Sequence, residues 1–147
     1  MAIVLTPDEI PKFWEAIKFA AVNFDFVEEE YRPRYLNRLL YLLLSGKAQC
    51  FVRLDAERRL QMICITKITV DEIRDERTLF GVGIYSFNKV DNSVWADDLK
   101  SVIEFAKANK CKFISTWVVN EKASNLLKSV GFKHRFDVLM LDLNGGA

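Results

Sequence analysis

Histidine is almost missing from this chain: His134 is its only one in 147 residues. A metal centre built on imidazole is therefore excluded, and a Ser/His/Asp site would rest on that residue alone. Asp137 lies three residues on, in a strand-patterned stretch, which places the two side chains on opposite faces and removes the dyad. Cysteine is scarce too. Cys50, Cys64 and Cys111 are far apart and odd in number, none at metal-ligand spacing, so no metal is expected. Their apolar surroundings predict buried, reduced thiols in a cytoplasmic setting. Only Cys111, between Lys110 and Lys112, has cations beside it. The longest apolar run, Leu39 to Leu44, is far too short to cross a bilayer, and the first residues lack the basic start and apolar core of a signal peptide. Net charge is +1, which gives no electrostatic reason to expect nucleic acid or an anionic membrane as partner. Repeats, low-complexity tracts and linkers are absent, so residues 1–147 are expected to form one domain.

What is present is apolar, patterned sequence. Half of the residues are hydrophobic, enough for a sizeable core. Thr6-Pro7-Asp8-Glu9 reads as a helix start, and Ile10, Phe13, Trp14, Ile17 and Ala21 continue it at helical spacing to about Phe24. A second helix opens at Glu28-Glu29-Glu30, carries a broad stripe from Tyr35 to Leu43 and ends at Ser45-Gly46. Strand-like runs follow at 49–55, 60–70 and 78–87, with a charged loop at 71–77, and residues 2–5 can add an edge strand. Gly81-Val-Gly83 lies inside a strand run, where glycines mark a bulge or a close backbone approach rather than a phosphate loop. Val94 to Lys110 is a third helix, 113–119 a strand, and 136–143 a last strand.

Between those last strands lies Asn120-Glu-Lys-Ala-Ser-Asn-Leu-Leu-Lys-Ser-Val-Gly-Phe132. Asn120 is an N-cap, Ala123, Leu126, Leu127 and Val130 form one apolar face, and Gly131 ends the helix as a left-handed C′ residue onto which Phe132 folds back. The pattern Asn-x-x-Ala-x-x-Leu-x-x-x-x-Gly-Phe resembles the fourth-helix motif of the GNAT acetyltransferase superfamily, and the element order resembles that fold along nearly the whole chain. The resemblance implies an α/β (α+β) domain: a mixed, mostly antiparallel sheet with helices on both faces.

It also implies an N-acyltransferase, moving an acetyl or other acyl group from CoA to an amine on a small molecule or a protein. In the family, the start of the third helix binds acetyl-CoA through Gln/Arg-x-x-Gly-x-Gly/Ala: small residues admit the backbone to the pyrophosphate and helix N–H groups meet its charge. Aligned on Leu99, this chain has Val90, Ser93 and Trp95 at those positions; shifted by one, it has Asp91, Val94 and Ala96. Neither register supplies the glycines or the cation, and Asp97 and Asp98 bring negative charge to what reads as the helix's first turn. The candidate residues for holding acyl-CoA are Phe87, Lys89, Asn92, Ser93, Val94, Trp95 and Ala96, with Asn120 at the fourth helix.

For catalysis the resemblance points to backbone oxyanion donors near Tyr85 to Phe87, with Glu72 as candidate base and Tyr85 as candidate proton relay. Asp71, Glu104 and Ser86 are alternatives. Core packing is the ordinary role for Trp117. Many members carry a tyrosine after the motif leucine as acid to the departing thiolate; here that position is Leu127, which transfers no proton. The second reading is therefore a GNAT-shaped interaction or assembly module that does not bind CoA. Exposed strand edges and 18 aromatic residues make a homodimer an expectation as well.

Overall fold

A computed structural model describes residues 1–24 and 28–144. They fall into two compact units, Met1–Trp117 and Val118–Ala147.

The first unit is built on a five-stranded sheet in the order β1-β2-β3-β4-β5. The strands are β1 (Ile3–Val4), β2 (Ala48–Leu54), β3 (Leu60–Asp71), β4 (Glu76–Ser86) and β5 (Phe113–Thr116). β1 to β4 pair antiparallel in sequence order, and β5 pairs with β4 in parallel. The charged loop is shorter than its composition suggested. Asp71 ends β3 and accepts the N–H groups of Ile73 and Arg74 with its carboxylate, closing a tight turn that lets β4 begin at Glu76.

Both faces of this sheet carry helices, which is why β2 reads as a near-continuous apolar run. α1 (Ile10–Val22) follows a 3-10 turn at Pro7–Glu9, and α2 (Arg32–Leu44) follows another at Glu29–Tyr31. Ile10, Ile17, Ala20 and Ala21 of α1 and Leu39 and Leu43 of α2 are buried in one cluster with Cys50, Val52, Ile63 and Ile65 of the sheet. On the opposite face, α3 (Asn92–Ala108) buries Val102 and Ala106 with Phe51, Met62 and Leu79. Trp95, Leu99, Phe105 and Ile114 pack around that second cluster. Each fully buried aliphatic side chain contributes on the order of 1.5–3 kcal/mol, so the two faces together hold the unit.

Gly83 shows how close the packing is. A Cβ there would lie 2.4 Å from the Phe24 ring, so β4 admits Phe24 only because this residue has no side chain.

The second unit contains α4 (Glu121–Ser129). Asn120 caps it, its side chain accepting the Ala123 N–H at 2.7 Å. Gly131 takes φ +108°, and the Phe132 N–H returns to the Leu127 carbonyl at 3.0 Å, which is the predicted helix stop. Residues 136–143 are not assigned as the expected last strand. Without that strand, the alternation that separated His134 from Asp137 is lost as well. His134 Nε2 and Asp137 Oδ1 lie 3.1 Å apart, both exposed, so the two side chains do meet. Among the described residues no serine is bonded to the pair, so the third member that a nucleophile site requires is not there.

Candidate active site

The site is organised by β4. Pairing with β5 runs from Thr78↔Phe113 to Gly81↔Thr116 and stops there, while β4 continues for five residues to Ser86. Opposite β3, Thr66 pairs with Gly81 but Ile65 pairs with Gly83, so Val82 is an extra residue and a β-bulge. The Gly-Val-Gly stretch is thus the bulge its sequence suggested. A bulge bends and twists its strand, and this one sits where the parallel neighbour ends. Thr116 closes the junction: its Oγ1 donates to the Gly81 carbonyl at 2.9 Å, and a Cβ on Gly81 would lie 3.3 Å from the threonine side chain. From Val82 to Ser86 the edge of β4 away from β3 has no strand beside it among the described residues. Strand residues without a ladder partner leave backbone groups able to bond a ligand.

The expected strand 113–119 ends at Thr116 for the same reason: its partner bends away. Trp117 is half-exposed rather than buried in the core, and meets Phe80 edge to face at 5.3 Å between ring centres.

Beyond the bulge the side chains are aromatic. Tyr85 packs edge-on against Phe19 at 5.6 Å and Phe87 at 5.0 Å, and Phe19 stacks with Phe87 at 6.2 Å. The Phe87 N–H donates to the Gln61 carbonyl at 2.9 Å. Asn88 bonds the Gln61 side chain and accepts from Ser86 through its carbonyl, which shapes the turn into α3. Lys89 is exposed in that turn.

The start of α3 differs from its expected form. The helix begins at Asn92, two residues before the apolar periodicity starts, because Asp91 caps it. One Asp91 carboxylate oxygen accepts the Ser93 N–H at 3.0 Å and the Val94 N–H at 3.3 Å, and the Ser93 hydroxyl also donates to it. The Ser93 hydroxyl, then the two N–H groups, hold this carboxyl below the ordinary aspartate range. The N–H groups that would meet a pyrophosphate therefore already bond an anion that belongs to the chain. Asp91 went unrecognised as the cap; an aspartate directly before a helix is a legible signal, and periodicity alone concealed it.

Asp97 and Asp98 consequently lie in the second turn, not the first. Asp98 turns into the sheet, where Arg53 Nε donates to its Oδ2 at 2.8 Å with both side chains almost wholly covered. It does not face the helix start. Asp97 is half-exposed, with the Met1 ammonium at 3.3 Å. Trp95 packs on the core beneath α3, while Asn92 and Ser93 are exposed.

The remaining candidates are scattered. Glu72 sits in the β3–β4 turn, at the opposite end of β4 from Tyr85, so the structure does not bring the two together. Asp71 is engaged in that same turn. Glu104 is exposed on α3. Asn120 is engaged as the α4 cap within the second unit. The cysteines are free thiols, but only Cys50 is buried outright, and Cys111 lies in the turn before β5 rather than in a strand. Burial raises the Cys50 thiol, and burial with the Asp98 charge pushes Cys64 up to about 12, so neither is an activated nucleophile. Among the described residues no three His, Cys, Asp or Glu side chains come together as a metal site, and no helix is long and apolar enough to cross a membrane.

No family model matches the sequence, and no curated protein matches it. Solved structures do. A probable acetyltransferase superposes with TM-score 0.77 at 15% identity, over 97% of each chain. A predicted acetyltransferase from Clostridium acetobutylicum, solved with acetyl-CoA, gives TM-score 0.74 at 11% identity, over 99% of this chain and 97% of its own. An aminoglycoside 6'-N-acetyltransferase from Acinetobacter baumannii gives 0.71 at 13%, over 99% of each. The fold is that of the GNAT acetyltransferases. At these identities the likeness is one of architecture. In this GNAT fold, the mixed and mostly antiparallel sheet carries α1 and α2 on one face and α3 on the other.

Proposed function

We propose that this chain is an N-acyltransferase of GNAT type that takes its acyl group from a CoA thioester and holds the diphosphate of that donor weakly. The parting of β4 from β5 at Gly81 and Thr116 carries the reading. A thioester lying along Val82–Ser86 would find unpaired backbone there, and N–H groups of that edge would stabilise the oxyanion formed when an amine attacks the carbonyl. The C–N bond forms as the C–S bond breaks; the amine gives up its proton and the departing thiolate takes one. Tyr85 and Ser86 lie on this stretch of β4 and are the nearest side chains able to relay a proton. The acetyltransferases of the same fold support an amine as acceptor.

The phosphate end fits less well. Asp91 already bonds the first N–H groups of α3, and Lys89 is the one cation in the turn from Phe87 to Val94. That observation favours the second reading, a GNAT-shaped assembly module without CoA chemistry. Thermal shift and calorimetry with acetyl-CoA and CoA distinguish the two. The transferase binds, with a melting point that rises with ligand concentration, and acetylates at least one amine of a mixed panel. No shift at millimolar CoA, with no acetylated amine, discards the transferase and leaves the module.

A further inference from the structure

The end of β4 is walled with aromatic rings on one side. Gly83, Tyr85 and Phe87 alternate along the chain and so share one face. It is the face that α1 covers: Phe24, just beyond α1, lies on Gly83, and Tyr85 packs on the α1–α2 core. Phe19 of α1 completes the wall. Its ring meets Tyr85 edge-on at 5.6 Å and stacks with Phe87 at 6.2 Å, while Tyr85 and Phe87 meet at 5.0 Å. Core packing alone does not account for the group, because Phe19 is 51% exposed and Phe87 36%. Single exposed apolar residues are ordinary, but three rings in mutual contact make one apolar surface.

This surface adjoins the stretch Val82–Ser86, to which Tyr85 itself belongs. α3, whose start would meet the donor's diphosphate, lies against the opposite face of the sheet. A donor that reaches the parting of β4 from the α3 side leaves the α1 side to the acceptor. The polar groups beside the rings are neutral or already engaged. Gln61 and Asn88 bond each other next to Phe87. Glu15, one turn before Phe19, is paired with Lys18 at 3.0 Å, and Asp55, which Gln61 reaches, with Arg59 at 2.9 Å. A polycationic amine needs free carboxylates in place of its water; a flat ring needs aromatic surface.

We infer that the acceptor is a primary amine carried a short way from an aromatic ring, with that ring resting against Phe19, Tyr85 and Phe87. The inference rests on the transferase reading. Stacked and edge-to-face contacts hold the ring. Because Tyr85 is part of the stretch that would hold the thioester, a link of one or two carbons sets the nitrogen beside the carbonyl. The nitrogen then forms its bond to the carbonyl carbon as the C–S bond breaks, and the proton it gives up goes to the departing sulfur. The products are an aryl-bearing amide and the free thiol of CoA.

Three amines test this: 2-phenylethylamine, its saturated counterpart 2-cyclohexylethylamine, and spermidine. With acetyl-CoA, the full chain should acetylate phenylethylamine with a kcat/KM several-fold and up to about tenfold above the cyclohexyl amine, which is what ring–ring contact supplies beyond burial. Spermidine should be the poorest of the three. Phe19→Leu keeps the bulk and removes the ring, so the phenyl-to-cyclohexyl ratio should fall towards one. A ratio between two substrates does not depend on how much of the variant folds. Saturation-transfer NMR without acetyl-CoA should show the ring protons of phenylethylamine in contact with the wild type, and the signal should fall in Phe19→Leu. Spermidine acetylated as well as phenylethylamine, or a ratio that survives Phe19→Leu, overturns the inference and leaves the transferase standing. If no amine is acetylated, the transferase reading falls, while the aromatic site stands or falls on the NMR: no saturation transfer at millimolar phenylethylamine overturns it.

Discussion

The two helices expected to matter for acyl-CoA, α3 and α4, are held in different ways. α4 is nine residues long, buries no residue fully, and is defined by its caps: Asn120 at one end, Gly131 and Phe132 at the other. α3 is anchored through its body. Val102 and Ala106 are buried, Trp95 packs on the core, and Asp98 reaches Arg53 forty-five residues away in sequence. The caps differ as well. Asn120 closes α4 with a neutral amide, while Asp91 closes α3 with a carboxylate. Both satisfy the helix N–H groups, but only the second turns a ready anion site into an occupied one. A helix made by local rules keeps its motif readable. A helix made by tertiary contacts can lose the family's glycines and still stand in place.

The largest expected effect is at the anchor of α3. Arg53→Leu leaves Asp98 buried without its partner and should cost about 3–5 kcal/mol in urea unfolding, while Arg53→Leu with Asp98→Leu should recover most of that loss. If the single change costs no more than a surface substitution, α3 is not anchored by this pair and the contrast with α4 falls.

Asp91→Ser comes next. Serine caps a helix about as well as aspartate, so stability should hold while the negative charge leaves the N–H groups. CoA should then bind at least about tenfold tighter by calorimetry, equivalent to about 1.4 kcal/mol. Unchanged affinity would mean that the Asp91 carboxylate is not what weakens the hold on the diphosphate.

Asn120→Ala should cost about 1 kcal/mol, read from faster amide exchange in the first turn of α4. Amides near Val102 should not change. Equal acceleration in both helices would make α4 as dependent on distant contacts as α3.

The smallest effect is in acid. Hydrogen bonds hold Asp91 below its ordinary range, as they do Asp55 and Glu9. A carboxyl lowered on folding contributes stability that is fully present above its unfolded pKa and is lost as pH falls through the lower folded value. Wild type should therefore lose stability below about pH 4, and Asp91→Ser should lose slightly less over that interval. Identical acid profiles would remove Asp91 from the account.

Much of the fold was legible because its signals are local. Thr6-Pro7, the Asn120 cap, the Gly131 stop and the run of elements follow from rules that act within a few residues. Gly81-Val-Gly83 announced a bulge through the two glycines. Other readings failed where the deciding partner was distant or unseen. Asp98 appeared to threaten a pyrophosphate until Arg53 turned it inward. Trp117 was expected in the core, but its strand ends with Thr116 because β4 bends away at Val82.

The chain's composition and short-range patterning alone determined the order of helices and strands as far as α4, most of their starts within a residue or two, and that the third helix lacks the family's phosphate loop. Capping and turn conformation are settled by near neighbours, so they are written in sequence. Only the tertiary structure decided that β4 parts from β5 at Gly81 and that Asp98 belongs to Arg53. Those outcomes depend on which surfaces meet across tens of residues, and no local pattern encodes the meeting.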